Sequence, residues 1–258
     1  MRTIYNIAAL VPFLTPGAHA LYETTYHSTS LAIQPFTILQ KSSSYDPDNT
    51  TLFLVCPVGT IVDQPGPTIY MSTGDLVWSN PSLGGCEDFN IQTFNGQQYL
   101  TMWLGGGSAV VGAQQGFGNA TMLNSNYEIV MNVSAVNPGG TDLHEFNIVK
   151  PANQTALVTA FNTIPVRFHC ASGPQKLSSN KYHVQLDLTS VGGPANGFYA
   201  NSIVQEIDIA TKRVLFNWTS VDHIALSESY NNISQTGEGS SAATAWDAVH
   251  FNSIDKVL

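Results

Sequence analysis

The segment Asp88-Phe89-Asn90-Ile91-Gln92-Thr93-Phe94-Asn95-Gly96-Gln97-Gln98-Tyr99-Leu100-Thr101-Met102-Trp103-Leu104 decides the fold class of this 258-residue chain. Apolar and polar residues alternate on both sides of Asn95-Gly96, a dipeptide that readily adopts the positive φ angles of a two-residue hairpin turn. The segment therefore predicts two antiparallel strands, 88–94 and 98–104, joined by a tight turn.

Four more hairpins are predicted by the same alternation, so we expect an all-β chain. Their turns lie at 72–75, 124–126, 151–154 and 210–212. Two consecutive hairpins form a group of four short strands, and this group repeats after roughly 40 to 60 residues, as in the blades of a β-propeller. A β-sandwich is the alternative, but it explains the alternation without explaining the grouping in fours.

The predicted propeller domain spans 51–258 and follows an irregular lead-in at 21–50. Its blades are expected at approximately 66–105, 119–162 and 202–258. Propellers typically close with four to eight blades. The sequence therefore predicts an incomplete arc of about two to three four-stranded blades. Because such an arc is not closed, we expect either that the chain is truncated at its C-terminus or that it assembles with copies of itself.

The N-terminus predicts export. An apolar stretch from Ile4 to Leu14 precedes Ala18-His19-Ala20, a small-x-small cleavage pattern, so 1–20 are expected to form a signal peptide. No other segment predicts a membrane span. A secreted, extracellular glycoprotein is also favoured by six Asn-x-Ser/Thr sequons, at Asn49, Asn119, Asn132, Asn153, Asn217 and Asn232.

Composition limits the partners. The chain has 9 Lys and Arg residues against 18 Asp and Glu residues, which disfavours nucleic acid and other polyanions. Three cysteines leave one without a partner inside the chain. We expect Cys56 to pair with Cys86 and Cys170 to remain for a partner elsewhere; their spacing does not predict a zinc site.

Two histidines occupy matching places in the predicted repeat, His144 in the run 142–148 and His250 in the run 246–255. Both runs predict strands, and matching positions of different blades lie at similar distances from a propeller axis. We therefore expect both imidazoles to face one region, with Asn252 on the same strand face as His250.

Two imidazoles and an amide can stabilise negative charge developing on an ester oxygen, or transfer a proton to a leaving alkoxide. His223 is a possible third member of the site. The alternative for each histidine is a structural role with backbone partners. A metal site is not expected, because a third or fourth ligand is missing.

Seven short segments that occur in order carry a family resemblance: Gly66-Pro67-Thr68-Ile69-Tyr70, Gly74-Asp75-Leu76-Val77-Trp78, Tyr99-Leu100-Thr101-Met102-Trp103-Leu104-Gly105-Gly106-Gly107, Asp142-Leu143-His144-Glu145-Phe146, Gln205-Glu206-Ile207-Asp208, Asp222-His223, and Trp246-Asp247 leading to His250-Phe251-Asn252-Ser253-Ile254-Asp255. Together they resemble the secreted, fungal-type branch of the arylsulfotransferase family. The resemblance implies a six-bladed propeller that moves a sulfuryl group from a phenolic sulfate ester to a phenol through a sulfated histidine. It implies no cofactor.

By this resemblance, His144 matches the histidine that contacts the sulfuryl group and the phenolic oxygen, and His250 and Asn252 match a His-x-Asn pair in the next blade. The family's sulfate-binding arginine and nucleophilic histidine follow that pair, beyond Leu258, so this chain alone is expected to lack the covalent step. Two alternatives stay open. One is a non-catalytic secreted propeller that binds a ligand or a protein, and the other is a sulfatase-like hydrolase that needs no acceptor.

Overall fold

Strands in antiparallel sheets make up most of the regular structure. The computed structural model describes residues 29–36, 38–40, 42, 44, 50–106, 116–136, 140–165, 187–233 and 237–256. In these residues there is one α-helix, α1 (Ser220–His223), besides a few short 3₁₀ turns. The all-β prediction is therefore confirmed.

Eleven strands form three sheets in the described part of the chain, and the strands follow chain order within each sheet. The first sheet contains β1 (Leu52–Val55), β2 (Thr68–Met71) and β3 (Leu76–Ser79). The second contains β4 (Cys86–Phe94), β5 (Gln97–Gly106), β6 (Phe117–Leu123) and β7 (Ile129–Val133). The third contains β8 (Phe146–Ile148), β9 (Thr155–Pro165), β10 (Phe198–Asp208) and β11 (Val214–Thr219).

The sheets run one hairpin out of phase with the predicted blades 66–105, 119–162 and 202–258. The β4–β5 hairpin shares a sheet with β6–β7 rather than with β2–β3, and β8–β9 shares a sheet with β10–β11. The pairings that decide this grouping, β5 with β6 and β9 with β10, cross long connections. A long connection has no tight-turn signal, so the sequence did not reveal which hairpins share a sheet.

The sheets pack face to face in chain order. Met102 and Leu123 of the second sheet are buried beside Trp78 of the first. Another apolar layer, which includes Met122 of the second sheet and Val158 of the third, joins those two sheets. This stacking places β4 and β8, the first strands of their sheets, side by side, which matters because β8 begins just after His144.

The run 246–255, expected to be a strand, is irregular. Trp246 makes one parallel bridge with Tyr199 at the start of β10, and no described residue continues the pairing. Side chains take up the carbonyl groups that a neighbouring strand would otherwise use: Asp247 O accepts from Asn231 Nδ2 at 2.7 Å, Ala248 O from Ser229 Oγ at 2.7 Å, and Val249 O from Ser202 Oγ. Side-chain competition for the backbone explains the missing strand.

Several predictions concern residues outside the described ranges: the signal peptide 1–20, the sequon at Asn49 and the fate of Cys170. Of the described helices, none is long and apolar enough to cross a membrane.

Cys56 and Cys86 form a disulfide with a Cα–Cα distance of 5.3 Å. The bridge joins the segment after β1 to the start of β4, and so links the first sheet to the second. Because it closes a loop with a sequence separation of 30 residues, we expect the Cys56→Ser/Cys86→Ser variant to lose about 2–4 kcal/mol of unfolding free energy. Urea unfolding followed by tryptophan fluorescence measures this loss, with Cys170→Ser as the control. Equal midpoints for the double variant and the wild type would contradict the prediction.

Candidate functional site

The structure brings His144 and His250 together. Their ring centroids are 5.0 Å apart and the rings meet edge to face, at an interplanar angle of 89°. The Phe161 ring of β9 lies 5.5 Å from the His250 ring. Two imidazoles in contact can address one small group placed beside them, although the two residues are far apart in sequence.

Each imidazole is held by an aspartate of its own segment. His144 Nδ1 lies 2.5 Å from Asp142 Oδ2, and His250 Nδ1 lies 2.7 Å from Asp247 Oδ2. A carboxylate can only accept a hydrogen bond, so Nδ1 of each ring carries the proton. Nε2 of each ring is therefore the nitrogen left for a ligand or for proton transfer.

Asp142 is the most enclosed member of the site, with a side chain that is 0 % exposed. Its Oδ1 accepts from Gly116 N–H at 2.7 Å. Its Oδ2 accepts from the His144 backbone N–H at 3.2 Å and from Thr159 Oγ1 at 3.4 Å, besides the imidazole. Such a set of donors fixes the carboxylate and, through it, the direction of the His144 ring.

Trp103 holds the backbone beside Asp142. Its indole Nε1–H donates to Thr141 O at 3.0 Å. The indole ring lies against Gly105, Gly116 and Gly118, where an added Cβ would collide with the ring. These glycines therefore leave the space that the tryptophan needs to reach Thr141, and this contact sets the position of the next residue, Asp142.

Strand β4 holds the start of β8 through side chains. Gln92 Nε2 donates to Phe146 O at 2.7 Å, and Gln92 Oε1 accepts from Ile148 N–H at 2.7 Å. Asp88 Oδ2 accepts from Phe146 N–H at 2.9 Å. Asp88 reaches that N–H from an irregularity in the β4–β5 register, with φ of 49°. These bonds fix the backbone two residues after His144.

His250 is positioned by the irregular segment that Trp246 anchors. The Trp246 side chain is fully buried, and its Nε1–H donates to Asn231 O at 3.0 Å. Within the described structure, Asp247 Oδ1 is buried without a hydrogen-bond partner, while Oδ2 holds the imidazole. The His250 side chain is 28 % exposed against 13 % for His144, so His250 is the more accessible ring of the pair.

Burial changes the charge around the histidine pair. It raises the pKa of Glu87, a shift that the nearby His144 opposes. Burial also raises the pKa of Asp88 to about 7, although the Phe146 N–H hydrogen bond opposes the shift. The pKa of Glu145 is raised by burial and by the charge of Asp255, against a hydrogen bond from Ile254 N–H. With a pKa of about 7, Asp88 carries only part of a negative charge near neutral pH, which makes the surroundings of the histidine pair more favourable to an anionic ligand.

A surface cleft of about 490 Å³ opens beside His250. The residues that line it include Ser229, Tyr230, Asn231, Asp247 and His250. The cleft gives the more exposed imidazole access to a ligand of small-molecule size.

The other two predicted site residues are placed differently. Asn252 is exposed and lies outside any strand, so it does not share a strand face with His250 as predicted. The ring of His223 stacks on Trp218, with centroids 5.0 Å apart, and Trp218 also contacts Phe251. Their roles, like those of the histidine pair, stay predictions.

The two aspartate partners were not predicted from the sequence: Asp142 was only part of the run 142–148, and Asp247 only part of the run 246–255. Their signal is the spacing Asp-x-His at 142–144 and Asp-x-x-His at 247–250, but such short patterns are common by chance. No group of three or more His, Cys, Asp or Glu residues in the described ranges is arranged to hold a metal ion.

The fold and site define an all-β protein with two aspartate-held histidines in contact. A family model described as Arylsulfotransferase (ASST) matches residues 90–258, which is more than half of the chain. The chain therefore belongs to the arylsulfotransferase family, and this family implies phenolic substrates in a general sense. No curated protein and no solved structure matches the chain.

Proposed function

We propose that His144 and His250 bind the sulfuryl group and the phenolic oxygen of an aryl sulfate, as part of a secreted arylsulfotransferase of the fungal-type branch. The observation that carries the proposal is the contact of the two imidazoles, each held at Nδ1 by an aspartate. Family membership supplies the reaction class, which is sulfuryl transfer from a phenolic sulfate ester to a phenol.

Nδ1 of each ring holds its proton against an aspartate, so Nε2 can donate to an oxygen atom of the bound ester only in the imidazolium form, which carries a proton on both nitrogens. We propose that the rings are in this form when the ester is bound. Such donors favour the negative charge that develops on the phenolic oxygen when its bond to sulfur breaks. Asp142 and Asp247 do not touch the ester; they hold the rings in one orientation. Asn252 joins the site if the segment after His250 turns towards the ligand.

A propeller arrangement is the fold that we propose for the whole domain. It is supported by two four-stranded antiparallel meanders that pack face to face with their first strands adjacent. In a propeller the first strands of the blades line the central channel. His144 precedes such a strand, so the proposed site lies at the channel.

Turnover distinguishes a transferase from a hydrolase. For a transferase of this family we expect the release of 4-nitrophenol from 4-nitrophenyl sulfate to depend on an added phenol. Release that does not depend on an added phenol would indicate a sulfatase-like hydrolase.

Binding tests the role of the histidines directly. We expect His144→Gln and His250→Gln each to weaken the binding of 4-nitrophenyl sulfate at least about tenfold, the effect of losing a hydrogen bond to a charged group. Isothermal titration calorimetry measures the change, and His223→Gln shows whether the predicted third histidine takes part. If His144→Gln and wild type bind equally, the proposed site is wrong. Binding of a protein rather than a small sulfate ester would favour the non-catalytic alternative.

A further inference from the structure

The outer strands of the two four-stranded sheets each carry an exposed sequon asparagine. Asn132 lies in β7 and Asn217 lies in β11, and these are the fourth strands of their sheets. Among the described residues, β7 pairs only with β6 and β11 pairs only with β10. The second edge of each strand therefore presents backbone groups without a strand partner.

Both edge strands also expose apolar side chains. In β7, Ile129 and Val130 are each 48 % exposed; in β11, Leu215 is 44 % and Phe216 50 % exposed. The two strands, Ile-Val-Met-Asn-Val and Val-Leu-Phe-Asn-Trp-Thr, contain no charged residue. Charged side chains are the usual means of keeping such edges from pairing with another chain, so these edges need a different protection.

The two asparagines are oriented alike. Asn132 Oδ1 accepts from Thr121 Oγ1 at 2.9 Å, and Asn217 Oδ1 accepts from Gln205 Nε2 at 2.8 Å. Both donors are buried residues of the neighbouring strand. The oxygen of each amide is thus anchored to its sheet, while Nδ2, the atom that carries an N-linked glycan, takes part in no hydrogen bond of the described structure.

We propose that N-linked glycans on Asn132 and Asn217 cover the two outer edges and prevent edge-to-edge association of the chain. In this modification Nδ2 loses a proton and bonds to the anomeric carbon of an oligosaccharide carried by a lipid diphosphate. The bond from that carbon to the diphosphate breaks, and the diphosphate leaves with the electron pair. The glycan supplies the bulk and hydration that charged residues supply on other edges.

The protein secreted from a eukaryotic host tests the proposal. Peptide mapping by mass spectrometry, after enzymatic release of glycans in H₂¹⁸O, reports whether each asparagine is occupied. We expect both asparagines to be occupied and the wild type to be monomeric by light scattering. The Asn132→Gln/Asn217→Gln variant is expected to associate with rising concentration, with at least about a twofold increase in mean mass. The control Asn232→Gln removes a sequon outside the strands and is expected to stay monomeric.

Misfolding of the double variant is separated from edge association by adding Val130→Lys and Phe216→Lys. Charges on the edges are expected to restore the monomer if the edges associate. Association that persists with both lysines overturns the proposal. Unoccupied asparagines in the secreted wild type, or a double variant as monomeric as the wild type, overturn it as well.

Discussion

Asp142→Ala is expected to lower the free energy of unfolding by about 3–5 kcal/mol, the cost of breaking a buried charged network. The substitution removes the acceptor for Gly116 N–H, for the His144 backbone N–H and for the His144 imidazole. The carboxylate is fully enclosed, so water does not readily replace it as an acceptor. Urea unfolding at neutral pH measures the loss.

The matched control for Asp142→Ala is Asp75→Ala. Asp75 is exposed and accepts a hydrogen bond from Thr73 within one turn. We expect this control to change the unfolding free energy by no more than about 0.5 kcal/mol. If the two variants lose equal stability, Asp142 is not the centre of the network.

Asp142→Asn tests whether Asp142 sets the orientation of the His144 ring, separately from its effect on the unfolding free energy. The amide still accepts one hydrogen bond, but its NH₂ group opposes either Gly116 N–H or the donors of His144. The imidazole is therefore expected to turn or to change tautomer. In those molecules that remain folded, 4-nitrophenyl sulfate should bind at least about tenfold more weakly. Unchanged affinity would show that the aspartate does not position the ring for the ligand.

Asp88→Asn is expected to make the protein more stable at pH 8 and to flatten its pH dependence. The pKa of Asp88 rises from 3.8 to about 7 on folding, with burial as the main cause. Below about pH 4 the carboxyl is protonated in both states. Between about pH 4 and 7 only the folded state keeps the proton, so unfolding free energy falls as pH rises. Above about pH 7 the folded state holds a buried charge.

Because the pKa of Asp88 rises from 3.8 to about 7, the loss of unfolding free energy is at most about 4 kcal/mol. Asparagine suits the site because it tolerates a positive φ and its Oδ1 can still accept from Phe146 N–H. Unfolding by urea between pH 4 and 8 measures both curves, and Asp75→Asn should follow the wild type. Parallel curves for Asp88→Asn and wild type would contradict the assigned pKa.

Hairpins were predictable from the sequence because alternation and turn residues act over a few positions. Asn95-Gly96 placed the β4–β5 hairpin correctly, and Asn95 and Gly96 both have positive φ. The grouping of hairpins into sheets was not predictable in the same way. It depends on pairs such as Met102 with Thr121, which tertiary packing selects across a long connection.

The proximity of His144 and His250 was predicted, but for a reason that differs from the one the structure shows. Both residues were expected in strands of equivalent blades, whereas His144 precedes β8 and His250 lies in an irregular segment. They meet because β4 holds the start of β8 and β10 holds Trp246. These are hydrogen bonds between residues distant in sequence, and no local pattern indicates them. The aspartate partners were missed for a different reason: the local patterns Asp-x-His and Asp-x-x-His are short and common by chance.

The most direct test of the proposed site is a titration of ¹⁵N-histidine-labelled protein with 4-nitrophenyl sulfate, followed by NMR. Spectra of His144→Gln and His250→Gln assign the two imidazoles. We predict that the Nε2 signals of both residues shift together and saturate at one ligand concentration. The Nδ1 signals are expected to remain those of a protonated nitrogen that donates a hydrogen bond to a carboxylate. A titration that leaves both Nε2 signals unmoved, or moves only His223, would contradict the assignment of His144 and His250 to the aryl sulfate.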